Sequence, residues 1–138
     1  MSQKIQTIFL VDDDVDDQLL FQEALSETDN SIQFICASNG IDAIEKLITL
    51  NNLPCVIFMD VNMPKMNGID CLKELQKIQN LKDIPVVMYS TSCTLDLQKE
   101  CFAIGAVDYI EKPYDFWQLR NMLQYMLVNG IRKNNVPI

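Results

Sequence analysis

The sequence contains no histidine, which argues against a zinc site, since imidazole and thiolate are the metal's main protein ligands. Cysteine does not fill the gap. Cys36, Cys55, Cys71, Cys93 and Cys101 are odd in number and show no C-x-x-C spacing. Most sit in apolar patterns, where a free thiol behaves as a small hydrophobe. No apolar run is long enough for a membrane span, and the N-terminus lacks the basic, apolar and small-residue regions of a signal peptide. Reduced cysteines without an export signal point to the cytoplasm. Positive charge is also scarce. Eleven Lys and Arg stand against nineteen Asp and Glu, a net charge of −8, which disfavours nucleic-acid partners because phosphate contacts need a basic surface. Linkers, repeats and low-complexity segments are missing too. The 138 residues, 49% hydrophobic and 22% charged, read as one soluble domain spanning 1–138, with a core from about residue 5 to 128 and a frayed tail.

What is present is a strict alternation of short apolar runs and helical periods. Ile8-Phe9-Leu10-Val11 reads as a strand that stops at Asp12-Asp13-Asp14. Leu19, Leu20, Ala24 and Leu25 then follow helical spacing, with Asp14 as N-cap and Asp16 and Asp17 favourable in the first turn. Ile32 to Ala37 gives a second strand. Asn39 caps a helix with the stripe Ala43, Ile44, Leu47 and Ile48. Cys55 to Met59 is an uninterrupted apolar run, as in strands buried on both faces of a parallel sheet, and it ends at Asp60. Asn67 caps a third helix carrying Ile69, Leu72, Leu75 and Ile78. Val86 to Tyr89 ends in Ser90, and a helix over about 95–104 stops at Gly105. Ala106 to Glu111 forms a fifth strand ending in Lys112-Pro113. Asp115 and Gln118, in capping-box-like spacing, open a last helix. Phe116, Leu119, Met122, Leu123, Met126 and Leu127 form its apolar face, and Gly130 stops it. Five strands alternating with five helices predict βαβ units and an α/β fold with a parallel sheet covered on both faces.

In such a sheet every strand's carboxyl end lies on one edge, where open α/β folds place their sites. Here that edge would collect Asp12 and Asp13, Asp60, Ser90 and Lys112. Taken singly, each has a plain alternative: Asp60 can cap a turn, Asp12 and Asp13 can be loop residues, Ser90 can end a strand and Lys112 can face solvent. Together they have a chemical meaning. Close carboxylates raise each other's cost of ionisation unless a cation joins them. A hard divalent ion such as magnesium suits oxygen ligands and leaves room for waters and a phosphate.

On these residues the chain resembles the receiver domain of two-component response regulators, over roughly Ile5 to Val128. The signatures are Val11-Asp12-Asp13, Met59-Asp60 followed by Met63-Pro64-Lys65-Met66-Asn67-Gly68, Ser90, and Lys112-Pro113. The resemblance implies a flavodoxin-like (βα)5 fold with strand order 2-1-3-4-5. It implies that Asp60 is the phosphoacceptor, attacking a phosphohistidine of a histidine kinase or histidine phosphotransfer protein. It implies Mg2+ held by Asp13, Asp60 and the backbone carbonyl of Asn62, with Asp12 acting largely through water. Lys112 and Ser90 would contact phosphoryl oxygens, and a cis bond before Pro113 would aim Lys112 into the site. Tyr109 stands where receivers carry an aromatic switch residue, coupled to a surface of the fourth helix, fifth strand and fifth helix. An ordinary strand tyrosine is the alternative there. Core packing is expected for Phe116, with a partner contact open to Trp117.

Some positions depart from the commonest pattern. Ser90 replaces threonine, and Thr91 stands where a small alanine is common. Asn62 and Ser92 occupy variable positions that tune acyl-phosphate lifetime in the family. With no DNA-binding or enzymatic output domain in these residues, the expectation is a stand-alone, CheY-like regulator that is not itself an enzyme. It would act through an unnamed downstream protein, without nucleic-acid or membrane partners, and phosphorylation-dependent homodimerisation stays open. Three rivals remain: a magnesium-dependent aspartate-nucleophile phosphatase, a flavin-binding domain, and a scaffold that is never phosphorylated. Asn62 lacks the acid/base capacity the phosphatase needs. The phosphate-cradling loops a flavin requires are not found. The acidic and lysine positions that scaffolds lose are present.

Overall fold

A computed structural model describes residues 5–131. Strands Thr7–Val11 (β1), Gln33–Ala37 (β2), Val56–Met59 (β3), Val86–Ser90 (β4) and Asp108–Glu111 (β5) alternate with helices Val15–Thr28 (α1), Gly40–Thr49 (α2), Gly68–Lys77 (α3), Leu95–Ile104 (α4) and Phe116–Asn129 (α5). All strand pairs are parallel and the order is β2-β1-β3-β4-β5. This is the doubly wound, flavodoxin-like order that the family resemblance implied. β1 and β3 lie side by side at the point where the winding reverses, so their carboxyl ends flank the cleft.

Strand alternation divides the core in two. Phe9, Val11, Ile57 and Met59 face one side and pack with Ala43 and Leu47 of α2, Cys71, Leu72 and Leu75 of α3, and Cys101 of α4. Ile8, Leu10, Val56 and Phe58 face the other, against Phe21, Ala24 and Leu25 of α1 and Leu119, Leu123 and Met126 of α5. Every residue of β3 is fully buried, which is why its sequence shows no polar alternation. Cys71 and Cys101 are buried core residues. Burial pushes their thiols up to about 12 and about 11, so both stay protonated at neutral pH.

The helix starts follow the predicted caps. Asp14, Asn39, Asn67 and Asp115 each accept a backbone N–H of the following first turn. The box at α5 is displaced by one residue: Gln118 N–H donates to Asp115, but the Gln118 side chain accepts from Tyr114 N–H rather than from Asp115. Gly105 ends α4 with φ +134°, a conformation that favours glycine.

Two predicted stripes each include one residue that faces solvent. Leu19 is 58% exposed, whereas Phe21, absent from the predicted set, is fully buried. Phe21 meets Phe34, Phe58 and Tyr89 at centroid distances of 5.1–5.8 Å. The buried face of α1 is therefore Phe21-Ala24-Leu25, and Leu19 turns away from the sheet. In α2, Ile48 is 60% exposed while its neighbour Leu47 is buried. At α5 the reading holds: Phe116 packs against the core and Trp117 is exposed. β5 begins two residues later than predicted. The predicted frayed tail lies outside the described residues. Among those described, no helix is long and apolar enough to cross a membrane.

Candidate functional site

Three strand ladders run one residue past their strands, and each extra residue carries a polar side chain. Asp12 N–H donates to the Ala37 carbonyl at 3.0 Å, Asp60 N–H to Val11 at 2.9 Å and Lys112 N–H to Ser90 at 2.9 Å. The sheet therefore fixes the backbones of Asp12, Asp60 and Lys112 at one edge. Gly68 closes the edge from below. Its N–H donates to the Val61 carbonyl at 2.9 Å, drawing the start of α3 against the end of β3.

The side chains converge on the Lys112 ammonium. Nζ lies 2.7 Å from Asp12 Oδ2, 2.9 Å from Asp17 Oδ2 and 3.2 Å from Asp60 Oδ2. Asp12, Asp13 and Asp60 each offer a carboxylate oxygen within 4.8 Å of one another. Asp12 and Asp60 are buried and Asp13 is exposed, so the cluster has a solvent side. The other Asp12 carboxylate oxygen is held as well, because Oδ1 accepts Asp14 N–H at 3.0 Å. The described residues contain no cis peptide bond, which corrects the expectation for Pro113. Lys112 reaches the carboxylates from a trans bond, directed by its place in the ladder and drawn by three negative charges.

Ser90 and Tyr109 meet at Ser92 instead. Ser90 is fully buried and its Oγ accepts Ser92 N–H at 3.1 Å. The buried Tyr109 donates its hydroxyl to the Ser92 carbonyl. Asn62 Nδ2 donates to Ser92 Oγ at 2.9 Å, and Asn62 N–H donates to Asp60 Oδ1 at 3.3 Å. The two variable positions flanking the site are thus bonded to each other, and one loop residue links Asn62, Ser90 and Tyr109. Asp17 was read from the sequence only as a helix-start charge. Its contact with Lys112 spans 95 residues, and no local sequence signal pointed to it.

A family model described as the response regulator receiver domain matches residues 8–124. The chain belongs to this family. Among solved structures, the receiver is similar to the phosphorylated cyanobacterial phytochrome response regulator RcpA, with 27% identity, TM-score 0.82 and coverage of 95% of this chain and 99% of that one. It is similar to the Mn(2+)-bound form of the response regulator Rcp1, with 27% identity, TM-score 0.79 and coverage of 96% and 98%. A protein-glutamate methylesterase/protein-glutamine glutaminase of Clostridium acetobutylicum is 35% identical over 99% of this chain and 41% of that protein. The receiver thus spans less than half the length of that enzyme.

The receiver's donor set fits a hard divalent cation: all side-chain ligands are carboxylate oxygens. Asp12 Oδ2 is buried and lacks a well-aligned hydrogen-bond donor despite its ion-pair contact with Lys112, leaving a lone pair for a bound ion or its water. The electrostatics point the same way. Burial pushes the Asp12 carboxyl up to about 6, against the opposing pull of Lys112 and the Asp14 N–H, and the Asp60 charge adds to the rise.

That shift sets the sign of a stability effect. Between the unfolded value near 4 and the folded value near 6, the native state binds more protons, so Asp12 lowers stability as pH rises through this window. Asp12→Asn is expected to stabilise the metal-free protein by on the order of 2 kcal/mol at pH 7 and by little near pH 4. Urea unfolding in chelator at both pH values checks it. An equal change at both would mean that the ionised carboxylate carries no folding penalty.

Proposed function

We propose that the protein is a response regulator whose Asp60 accepts a phosphoryl group from a phosphohistidine on a histidine kinase or phosphotransfer protein. The observation that carries this reading is the placement of a buried Asp60 between the Lys112 ammonium, 3.2 Å away, and the Asp12–Asp13 pair. An Asp60 carboxylate oxygen attacks phosphorus, the bond from phosphorus to the histidine nitrogen breaks, and an acyl phosphate forms as the imidazole leaves. Such transfer depends on positioning and on neutralising charge at the equatorial oxygens. Lys112 supplies a compact, largely buried positive charge. Asp13, Asp60 and the Asn62 backbone carbonyl would hold magnesium, with Asp12 acting through water, and the ion would add positive charge beside the phosphoryl oxygens.

Ser90 Oγ accepts Ser92 N–H, which leaves its hydroxyl hydrogen to donate to a phosphoryl oxygen once the side chain turns toward the site. That turn would disturb Ser92 and with it the Tyr109 hydroxyl, carrying the change into α4, β5 and α5. The output is then a protein contact on that surface. Action as a single receiver is supported by the match that spans nearly the whole RcpA chain. The phosphatase rival gains nothing from the geometry, because the Asn62 amide is bonded to Ser92 Oγ and cannot exchange a proton as an acid/base must.

Incubation with acetyl phosphate and magnesium is expected to add one phosphoryl group, which borohydride reduction and peptide mass mapping place on Asp60. A label mapping to any other residue, or none under saturating donor and magnesium, would overturn the proposal.

A further inference from the structure

Lys112 has three N–H donors, and each has a carboxylate in reach: Asp12 from the end of β1, Asp60 from the end of β3 and Asp17 from the first turn of α1. The contacts to Asp17 and Asp60 are aligned hydrogen bonds at 2.9 and 3.2 Å. Two N–H donors are thus committed, and a 2.7 Å ion-pair contact with Asp12 holds the ammonium from a third direction, before any phosphoryl group arrives. A move toward a new oxygen on Asp60 draws it away from one of these contacts.

The three are unequal in what release costs. The Asp12 side chain is fully buried and that of Asp60 is 9% exposed, so neither carboxylate can readily exchange the lysine for water. The Asp17 side chain is 38% exposed, so water can take over its hydrogen bonds when the lysine leaves. Asp17 is also mounted on a different element from the others. A shift of the lysine toward β3 would break its contact while Asp12 and Asp60 keep theirs.

We propose that Asp17 is a positioning residue of the phosphorylation site, competing with the phosphoryl group for the Lys112 ammonium in the unphosphorylated protein. The inference rests on Asp60 being the phosphoacceptor. Asp17 holds the lysine partly off the acceptor until a phosphoryl group outbids it, and takes it back after hydrolysis. It thereby lowers the affinity of the resting site for phosphoryl-like anions. Its exposure limits the effect to that of a screened ion pair, a few-fold in equilibrium terms.

The test uses beryllium fluoride, a noncovalent phosphoryl mimic, titrated into the full chain at saturating magnesium and followed by isothermal calorimetry. Asp17→Asn is expected to bind it about two- to fivefold more tightly than the unaltered protein, with the gain shrinking as salt rises. Asp17→Glu keeps the carboxylate and is expected to restore the original affinity. Asp16→Asn, which removes an equal charge from the same exposed helical turn, is expected to change nothing. Unchanged or weaker binding by Asp17→Asn, or an equal gain from Asp16→Asn, would overturn the proposal. Should the unaltered protein fail to bind the mimic at all, the phosphoacceptor reading itself falls, and the two failures are told apart.

Discussion

Gly68→Ala is expected to destabilise the protein by about 3 kcal/mol, at the upper end of what overpacking costs. A Cβ at this position would lie 2.0 Å from the Asp60 carbonyl oxygen and 2.9 Å from both the Asp60 carbonyl carbon and Val61 Cα. All three are backbone atoms, so no side chain can rotate away. Relief requires α3 to withdraw or the end of β3 to move, and either breaks the hydrogen bond from Gly68 N–H to the Val61 carbonyl. The glycine is needed here for close approach and not for a left-handed φ, which it does not have. For a domain of this size the loss corresponds to a fall in Tm of roughly 10 °C. Because the displaced atoms belong to Asp60, magnesium-dependent phosphorylation should fall as well, even at temperatures where the variant is folded. Thermal unfolding monitored by circular dichroism checks the first effect. A Tm within a degree or two of the parent would show that the loop yields without cost.

Parallel topology explains why so much of the site could be read in advance. In a parallel sheet all carboxyl ends share an edge, so an alternation of strands and helices is enough to bring Asp12, Asp60, Ser90 and Lys112 into one region. Asp13 joins Asp12 by adjacency. What periodicity could not decide was phase. Leu19, Leu20 and Phe21 are consecutive apolar residues, and three in a row fit more than one helical face. The choice fell to the aromatic partners Phe34, Phe58 and Tyr89, which come from other strands. Leu47 and Ile48 pose the same ambiguity.

Asp17 was missed for a related reason. An acid in a first helical turn is already accounted for by the helix dipole, and nothing local points to a lysine 95 residues away. The link from Asn62 through Ser92 to Tyr109 was likewise hidden, since it joins three loops and strand ends by one side-chain bond and one backbone carbonyl. Long-range polar contacts of this kind depend on loop conformation, for which a sequence has no period.

Asp60→Asn is expected to abolish the phosphoryl mass increase from acetyl phosphate completely while leaving the fold intact. An amide has no anionic oxygen with which to attack phosphorus, so the loss is one of chemistry. The surroundings should tolerate the change. The asparagine oxygen can accept Asn62 N–H as Asp60 Oδ1 does now, and Lys112 keeps Asp12 and Asp17. Removing one buried negative charge also relieves Asp12, whose carboxyl is raised in part by Asp60. Without magnesium at pH 7, the variant should therefore melt at or slightly above the temperature of the parent. The combination is what discriminates. Loss of phosphorylation with an unchanged or higher Tm assigns the nucleophile to Asp60. Phosphorylation that persists in the variant assigns it elsewhere, and a large fall in Tm would mean that the Asp60 charge holds the strand ends together.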